Sequence, residues 1–272
     1  MKTNFRFLNL IAILTAVLHS LGGQPEAAEP QLIRVLCYNI HYGQGTDGQY
    51  DIERLADVIN KSKPDLVALQ EVDVGVKRSG RVHEAQRLEE LTGLEVRMGP
   101  TQHYQGGLFG NAVLSRYPIS DVVIQPLPYT ESTPARTTYP RGAIAVTVQL
   151  TESIPLRFIS THFQHNVAED RLAEAKEINR LFGKQTDRVA TILAGDMNAT
   201  PGSEPITELE RHWTNAIDRE STPTAPATKP TSRIDYVFYQ PTKRFRLVGS
   251  EVIPESVASD HRPVLAVFEI LN

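Results

Sequence analysis

The sequence predicts an α/β domain in which strands and helices pack as layers. Short apolar runs typical of buried strands alternate with segments whose apolar residues recur at helical spacing. The 272-residue chain is 40% hydrophobic, which suffices for one large domain with a full core. It shows no internal repeat and no convincing linker, so we expect a single layered domain after the N-terminal segment.

The predicted elements follow one another along the chain. Apolar runs predict strands at 32–38, 66–69, 143–150, 156–160, 189–194, 233–238 and 264–270. Helical spacing predicts helices at 52–59 behind an Asp51 cap, at 85–91 before Gly93, at 169–182 and, more weakly, after residue 200. Glycine, proline and threonine predict loops at 105–110, 130–138 and 221–231, the last of them mobile.

The N-terminus has the features of a cleavable secretory signal. Lys2 and Arg6 precede an apolar stretch at 7–18 that is too short to span a bilayer comfortably, and small residues follow. We expect 1–28 to be the signal and 29–272 the mature domain, secreted or periplasmic. Cleavage near Gly22 and cleavage near Ala28 both stay open, and an uncleaved membrane anchor is the alternative.

Charge and cysteine content narrow the function classes. The formal net charge is −4, and loss of 1–28 removes Lys2, Arg6 and Glu26, which makes the mature charge −5. No basic surface is broad enough to bind nucleic acid by charge alone. Cys37 is the only cysteine, so it cannot form an intrachain disulfide, and it lies in an apolar run as a small core residue.

Polar residues stand at or beside the ends of the predicted strands. Asp196 and Asn198 follow one apolar run, and alternate residues of an extended chain point to the same side. Carboxylate and amide oxygens at such an edge can hold a metal ion or a reacting phosphate. The complete set is Asn39, Glu71, Arg141, His162, Asp196, Asn198, Asp235, Asp260 and His261.

Two further segments are candidates for substrate contact. The basic loop 77–81 contains Lys77, Arg78 and Arg81 and follows Glu71 closely, so a phosphate-binding role competes with ordinary solvated surface. The glycine-containing segment before Asn111 is weaker by itself. His83 and His165 match no role and are expected to be surface histidines.

Six short motifs, in this order, resemble the endonuclease/exonuclease/phosphatase superfamily. They are Tyr38-Asn39-Ile40, Gln70-Glu71-Val72, Thr161-His162-Phe163, Gly195-Asp196-Met197-Asn198, Arg233-Ile234-Asp235-Tyr236 and Ser259-Asp260-His261-Arg262-Pro263. The segment 111–118, which begins at Asn111, also looks like one found in secreted bacterial members. The resemblance implies a four-layer sandwich: two face-to-face mixed β-sheets flanked by helices.

The resemblance also implies a role for each matched residue in a Mg²⁺-dependent phosphoesterase, with Mn²⁺ as an alternative metal. Glu71 is the main metal ligand, with Asn39 and Asp260. Asp196 positions or deprotonates the attacking water. The phosphate is held by Asn198, Arg141 and His162, and Asp235 orients His261, which contacts the phosphate and steadies the transition state.

Several functions remain open from the sequence. The favoured one is a secreted hydrolase of a small or lipid phosphodiester, with Arg78, Arg141 and Asn111 contacting the substrate. The alternatives are an extracellular nuclease, a phosphomonoesterase, an inactive phosphate-binding module and a zinc hydrolase. The histidines lack tight zinc-ligand spacing, and no Ser-His-Asp or cysteine nucleophile has a supporting motif. We expect a monomer without a stable protein partner.

Overall fold

Two β-sheets form the centre of the molecule in the computed structural model, which describes residues 31–151, 154–183 and 189–271. The predicted signal at 1–28 lies outside the described residues. The strands are β1 (Leu32–Asn39), β2 (Leu66–Val74), β3 (Glu95–Tyr104), β4 (Gly107–Ser115), β5 (Ile119–Pro126), β6 (Gly142–Thr151), β7 (Ile154–His162), β8 (Ala190–Asp196), β9 (Thr214–Asn215), β10 (Asp235–Gln240), β11 (Phe245–Val252) and β12 (Val264–Ile270). The helices are α1 (Ile52–Ser62), α2 (Glu84–Thr92), α3 (Ala168–Ile178) and α4 (Glu204–Leu209).

Both sheets are mixed. The first has the order β11-β12-β1-β2-β4-β3 and the second β5-β6-β7-β8-β10-β9. β1 and β2 are parallel in the first sheet, as β7 and β8 are in the second, and the other pairs are antiparallel. A parallel pair needs a crossover connection, and α1 and α3 lie in these two connections.

Three apolar clusters make the layers. One lies between the sheets and joins Val35 and Cys37 of β1 to Val146 and Phe158 of the second sheet. A second packs α1 and α2 on the outer face of the first sheet, and a third packs α3 and α4 on the outer face of the second. The central strands are buried on both faces, which explains their unbroken apolar runs. The predicted four-layer sandwich is confirmed.

Five of the described strands have no prediction, and all of them except β4 are edges of the sheets. β3, β5, β9 and β11 stand at the ends of the two strand orders. β5 is mostly exposed, and β11 alternates exposed and partly buried residues. An edge strand buries less apolar surface than a central one, so its sequence lacks the apolar run that marks a strand.

Other boundaries also differ from the predictions. The loop predicted at 105–110 is wrong, because β4 already begins at Gly107 and pairs with β3 around the tight turn at Gln105 and Gly106. β2 extends beyond the predicted 66–69 to Val74 through a bulge between Leu69 and Val72. The α-helix predicted to reach residue 182 ends at Ile178 and continues as a π-helical turn at 179–183.

The segment 221–231 packs against the domain instead of lying free of it. Thr224 and Ala227 are fully buried, and the Thr224 hydroxyl accepts hydrogen bonds from the backbone N–H groups of Ile234 and Asp235. The segment therefore supports the start of β10. Within the described residues, no helix is both long and apolar enough to cross a membrane.

Candidate active site

One row of paired residues crosses four strands of the second sheet. Gly142 pairs with His162, His162 with Asp196, and Asp196 with Asp235. Directly paired residues on neighbouring strands point to the same face, so His162, Asp196 and Asp235 meet at one edge. Arg141 immediately precedes this row. The apolar runs stop here because polar side chains replace the core residues.

Glu71 reaches the site from the first sheet through an irregular backbone. Its φ is +60°, in the left-handed region that a non-glycine residue rarely occupies, and it lies in the bulge of β2. A bulge changes the direction in which a side chain points, and here it turns Glu71 towards Asn39. The adjacent His41 and Tyr42 also have positive φ, as does Asn198, so backbone strain clusters at this edge.

Asn39 connects the two sheets. Its Nδ2 donates to Oδ2 of Asp196 at 3.0 Å and to Oε1 of Glu71 at 3.3 Å. Its Oδ1 accepts the backbone N–H of His41 at 3.0 Å, and its carbonyl accepts the Ser259 hydroxyl at 2.7 Å. The last contact places Asp260, the next residue, beside the same cluster.

His261 lies between two carboxylates. Its Nδ1 is 2.9 Å from Oδ2 of Asp235, and its Nε2 is 3.8 Å from Oδ2 of Asp196. Burial alone would lower the pKa of His261, but Asp235 and Asp196 outweigh it and hold the pKa well above its usual value. His261 is therefore a cation at neutral pH. Burial, followed by the Asp235 charge, raises the pKa of Asp196.

His162 is neutral for the opposite reason. Burial, together with the charges of Arg141 and His261, lowers its pKa well below the usual value. Nη1 of Arg141 lies 3.2 Å from its Nδ1, and Nδ2 of Asn198 lies 3.0 Å from its Nε2, so a donor faces each ring nitrogen. Nε2 also lies 3.4 Å from Oδ2 of Asp196, and Nδ2 of Asn198 donates to the Phe163 carbonyl at 3.0 Å.

Asp196 and Asn198 meet through a turn, not through strand alternation as the sequence suggested. β8 ends at Asp196, and Asn198 has a φ of +47°. The Asn198 backbone N–H donates to Oδ1 of Asp196 at 2.8 Å, which closes the turn. The two side chains still lie together, because the turn directs that of Asn198 towards His162.

The three predicted substrate-contact residues have different surroundings. Arg141 is buried and lines a cavity that also contains Glu71. Arg78 lines the same cavity but forms a two-point ion pair with Asp73. Asn111 is only 2% exposed, and its Nδ2 donates to the Gly142 carbonyl at 2.8 Å. The structure thus shows Asn111 linking β4 to β6, and its direct contact with substrate stays a prediction.

A cavity of about 360 Å³ opens beside Glu71 and Arg141. Most of its lining consists of residues to which the sequence assigned no role in the site: His41, Tyr42, Gln102, Tyr104, Phe109, Tyr139 and His165. His165, expected to be a surface residue, is exposed but stacks on Tyr139 at 5.6 Å between ring centroids. His83 is a surface residue whose Nδ1 caps α2. The sequence feature that could have indicated this lining is the presence of aromatic residues close to Asn39 and Arg141, such as Tyr42 and Tyr139.

The oxygen donors fit a hard divalent cation. Among the described residues, no hydrogen bond reaches Oε2 of Glu71, and the Asp260 side chain is 44% exposed. Within the described part of the chain, Asp196, Asp235 and His261 are a group of acidic and histidine side chains whose donor atoms lie within 4.8 Å of one another and could hold a metal. A charged His261 would oppose a second cation there, and metal binding by Glu71, Asn39 and Asp260 stays a prediction.

The model of the endonuclease/exonuclease/phosphatase family matches residues 36–261. The chain belongs to this family. The match spans every matched site residue, from Asn39 to His261. Members of the family are hydrolases of phosphoester bonds and generally depend on a divalent metal, and this chain is accordingly a phosphoester hydrolase.

Several solved structures are similar to this chain, and the proteins carry different names. An endonuclease/exonuclease/phosphatase from Beutenbergia cavernae DSM 12333 is 25% identical, with a TM-score of 0.67 over 88% of this chain and 72% of that one. A mannosyl-6-phosphatase from Bacteroides thetaiotaomicron VPI-5482 is 18% identical, with a TM-score of 0.67 over 88% and 100%. TDP2 from D. rerio, complexed with a single-strand DNA product, is 16% identical, with a TM-score of 0.68 over 88% and 99%.

Proposed function

We propose that the protein is a secreted, Mg²⁺-dependent phosphodiesterase that cleaves a small or lipid phosphodiester by in-line attack of water. The observation that carries this proposal is the cavity of about 360 Å³ with Glu71 and Arg141 in its wall. This volume is at the lower end for small-molecule sites. It suits one phosphate with a modest substituent better than a long nucleic-acid backbone.

The residues that would hold the metal are Glu71, Asn39 and Asp260. A Mg²⁺ held there would offset negative charge on the phosphate oxygens and help to orient the ester. Glu71 and Asp260 supply the anionic oxygens, and Asn39 is already oriented by its contacts with Glu71 and Asp196. Mn²⁺, which also accepts oxygen ligands, is the alternative metal.

Asp196 is the group that takes the proton of the attacking water. Burial raises its pKa, which makes its carboxylate a stronger base than an exposed aspartate. Nε2 of His162 and Nε2 of His261 both face Oδ2 of this carboxylate, so the base is held in one orientation. Its position at the end of β8 is fixed by pairing with strands on both sides.

Both cationic and neutral hydrogen-bond donors bind the phosphate. His261 is a cation fixed by Asp235, so it can stabilise negative charge that develops on the phosphate oxygens. Arg141 keeps its charge in a buried position next to neutral His162, and Asn198 adds an amide. An active enzyme is favoured over an inactive binding module because base, cationic donors and oxygen ligands are all present.

A substrate panel tests the proposal. Purified protein with Mg²⁺ should hydrolyse small and lipid phosphodiesters faster than duplex DNA, and addition of EDTA should abolish turnover. Degradation of plasmid DNA at physiological salt without turnover of the esters would establish the nuclease instead. Faster turnover of phosphomonoesters would identify a phosphatase, and full activity after replacement of Mg²⁺ by Zn²⁺ alone would identify a zinc hydrolase.

A further inference from the structure

Arg78 does not behave as a free cation in the active-site cavity. Its Nε and Nη2 donate to the two carboxylate oxygens of Asp73, each at 2.9 Å, and Asp73 is completely buried. Such a two-point ion pair fixes the guanidinium plane. The charge of Arg78 is thus balanced within the protein, although the basic loop 77–81 looked from the sequence like a phosphate-binding segment.

The fixed guanidinium packs among aromatic rings that line the cavity. Its central carbon lies 3.5 Å from the ring centroid of Tyr42, 4.7 Å from that of Tyr104 and 5.2 Å from that of Phe109. The first distance corresponds to direct stacking. Tyr42 has a positive φ, so its strained backbone needs such support to keep one conformation.

The other basic residues of the loop 77–81 do not place a free positive charge in the cavity. Lys77 and Arg81 are exposed and do not line the cavity, and Nη1 of Arg81 donates to the Gly75 carbonyl at 3.3 Å. Beyond the phosphate donors, the cavity therefore presents aromatic rings with hydroxyl and amide groups, together with the imidazoles of His41 and His165. This lining favours an uncharged ring, which packs on aromatic side chains, over a second phosphate.

We propose that the cavity binds an uncharged ring on one alcohol of the phosphodiester, and that Arg78 positions Tyr42 for this contact instead of binding a second phosphate. The inference rests on the proposed phosphodiesterase function and adds the substrate class to it. An aryl ring and a sugar ring share the chemistry of packing on Tyr42. The cavity volume of about 360 Å³ limits the occupant to about one ring beside the phosphate.

The test compares methyl phosphodiesters whose second alcohol differs. These alcohols are benzyl alcohol, the 6-hydroxyl of methyl glucoside, n-hexanol and 3-phosphoglycerol, all alkyl leaving groups of similar reactivity. With Mg²⁺, one of the two ring esters should have the lowest KM, roughly 3- to 10-fold below that of the hexyl ester. Which ring ester is better distinguishes an aryl from a sugar ligand.

The outcomes separate the inference from the function on which it rests. Equal KM values for the ring and hexyl esters, or the lowest KM for the phosphoglycerol ester, would overturn the inference while the phosphodiesterase stands. No turnover of any of the four esters, with plasmid DNA degraded, would overturn the proposed function itself.

Variants of Arg78 distinguish positioning from charge. Arg78→Lys keeps the positive charge but loses the two-point pairing and the planar stack, so it should raise the KM for the ring ester as much as Arg78→Ala does, with little change in kcat. Lys77→Ala, in the same loop but outside the cavity, is the matched control. If Arg78→Lys keeps the wild-type KM, the residue acts through charge and the inference is wrong.

Tyr42 provides the second readout. Tyr42→Phe keeps the ring and should retain the preference for the ring ester, whereas Tyr42→Leu should remove the preference by raising the KM of the ring ester more than that of the hexyl ester. Thermal unfolding of each variant checks that the fold is retained. A preference for the ring ester that survives Tyr42→Leu in a folded protein would contradict the inference.

Discussion

Glu71 illustrates at the residue scale how much one side chain depends on its backbone. The sequence placed it just after a short strand, whereas the structure places it in a bulge at a φ of +60°. Its carboxylate accepts a hydrogen bond from Asn39 on the parallel neighbour of β2. The bulge, not the end of the strand, brings this oxygen donor to the site.

Glu71→Gln should lower turnover by on the order of 10²-fold or more, because the amide loses the negative charge that a divalent cation requires. The fold should persist, since Gln has the same shape and the bulge is unchanged. Activity measured against Mg²⁺ concentration checks this, with Glu251→Gln on exposed β11 as the control. Unchanged activity at limiting Mg²⁺ would exclude Glu71 as the main ligand.

His261 and Asp235 should act as one unit. Asp235 holds Nδ1 of His261 at 2.9 Å and keeps the imidazole charged, so His261→Ala and Asp235→Asn should each lower kcat by about 10²-fold. The double variant should be little worse than either single one. Effects that multiply in the double variant would show that the two residues act independently.

Gly195 shows at the element scale why a small residue precedes Asp196. A Cβ built at Gly195 would lie 2.2 Å from the Thr161 carbonyl oxygen on β7. This atom belongs to the backbone of the parallel neighbour and cannot turn away. The absence of a side chain thus lets β7 and β8 pair up to the row of His162 and Asp196.

Gly195→Ala should lower the free energy of unfolding by about 1–3 kcal/mol, because the strands must separate to admit the methyl group. Activity should fall as well, since the row at the strand ends is displaced. Gly249→Ala is the matched control, because a Cβ on that β11 glycine would meet no atom within 4 Å. Urea unfolding that shows equal losses for both variants would disprove the steric explanation.

Helix α3 carries a buried acid that makes the fold sensitive to pH. Oε2 of Glu174 accepts the Gln164 backbone N–H at 2.8 Å, just beyond β7, and Oε1 is buried with no hydrogen-bond partner among the residues that the structure describes. Burial raises the pKa of Glu174 to about 8. The unfolded chain releases this proton near pH 4.5 while the folded protein retains it, so stability is highest below that pH and falls as pH rises towards 8.

Glu174→Gln should therefore flatten the fall in stability between about pH 5 and pH 8 by on the order of 2–4 kcal/mol. Glu84, whose pKa burial raises to about 9, should maintain part of the slope. Thermal unfolding across this range tests the expectation, with Glu169→Gln on the exposed first turn of α3 as the control. A slope identical to the wild type would show that Glu174 is ionised in the folded protein.

At the scale of the whole molecule, the net charge bears on the kind of substrate, and the N-terminal segment bears on where the protein acts. A mature charge of −5 with few cations at the cavity disfavours a long polyanion, which needs many phosphate contacts. The N-terminal segment 1–28, whose removal makes the net charge more negative, is also the segment that predicts export. Both properties follow from the sequence and remain predictions.

The exported protein should lack its first two dozen or so residues. Leu14→Arg, which places a charge in the apolar stretch, should block export and leave the full-length chain inside the cell. N-terminal sequencing of the exported protein checks the cleavage site. Detection of Met1 on that protein would favour an uncleaved anchor.

The sequence by itself determined the helices, the family and the central strands other than β4. Apolar periodicity is a local property, and motifs such as Gly195-Asp196-Met197-Asn198 keep their chemistry within a few residues. The edge strands were not predicted, because they bury too little apolar surface to show an apolar pattern in the sequence. The polar residues of the site could also be predicted, because each lies at the end of an apolar run or just after one, and such a run is visible in the local sequence.

Only the tertiary structure decided how those residues meet and which of them are available to a substrate. The contact between Asn39 and Asp196 joins residues 157 positions apart, and no local pattern encodes it. The two-point pairing of Arg78 with buried Asp73, and its stacking on Tyr42, likewise join side chains that no local pattern brings together. Such effects depend on packing between two sheets and on charges brought together by folding, so they appear only when the chain is folded.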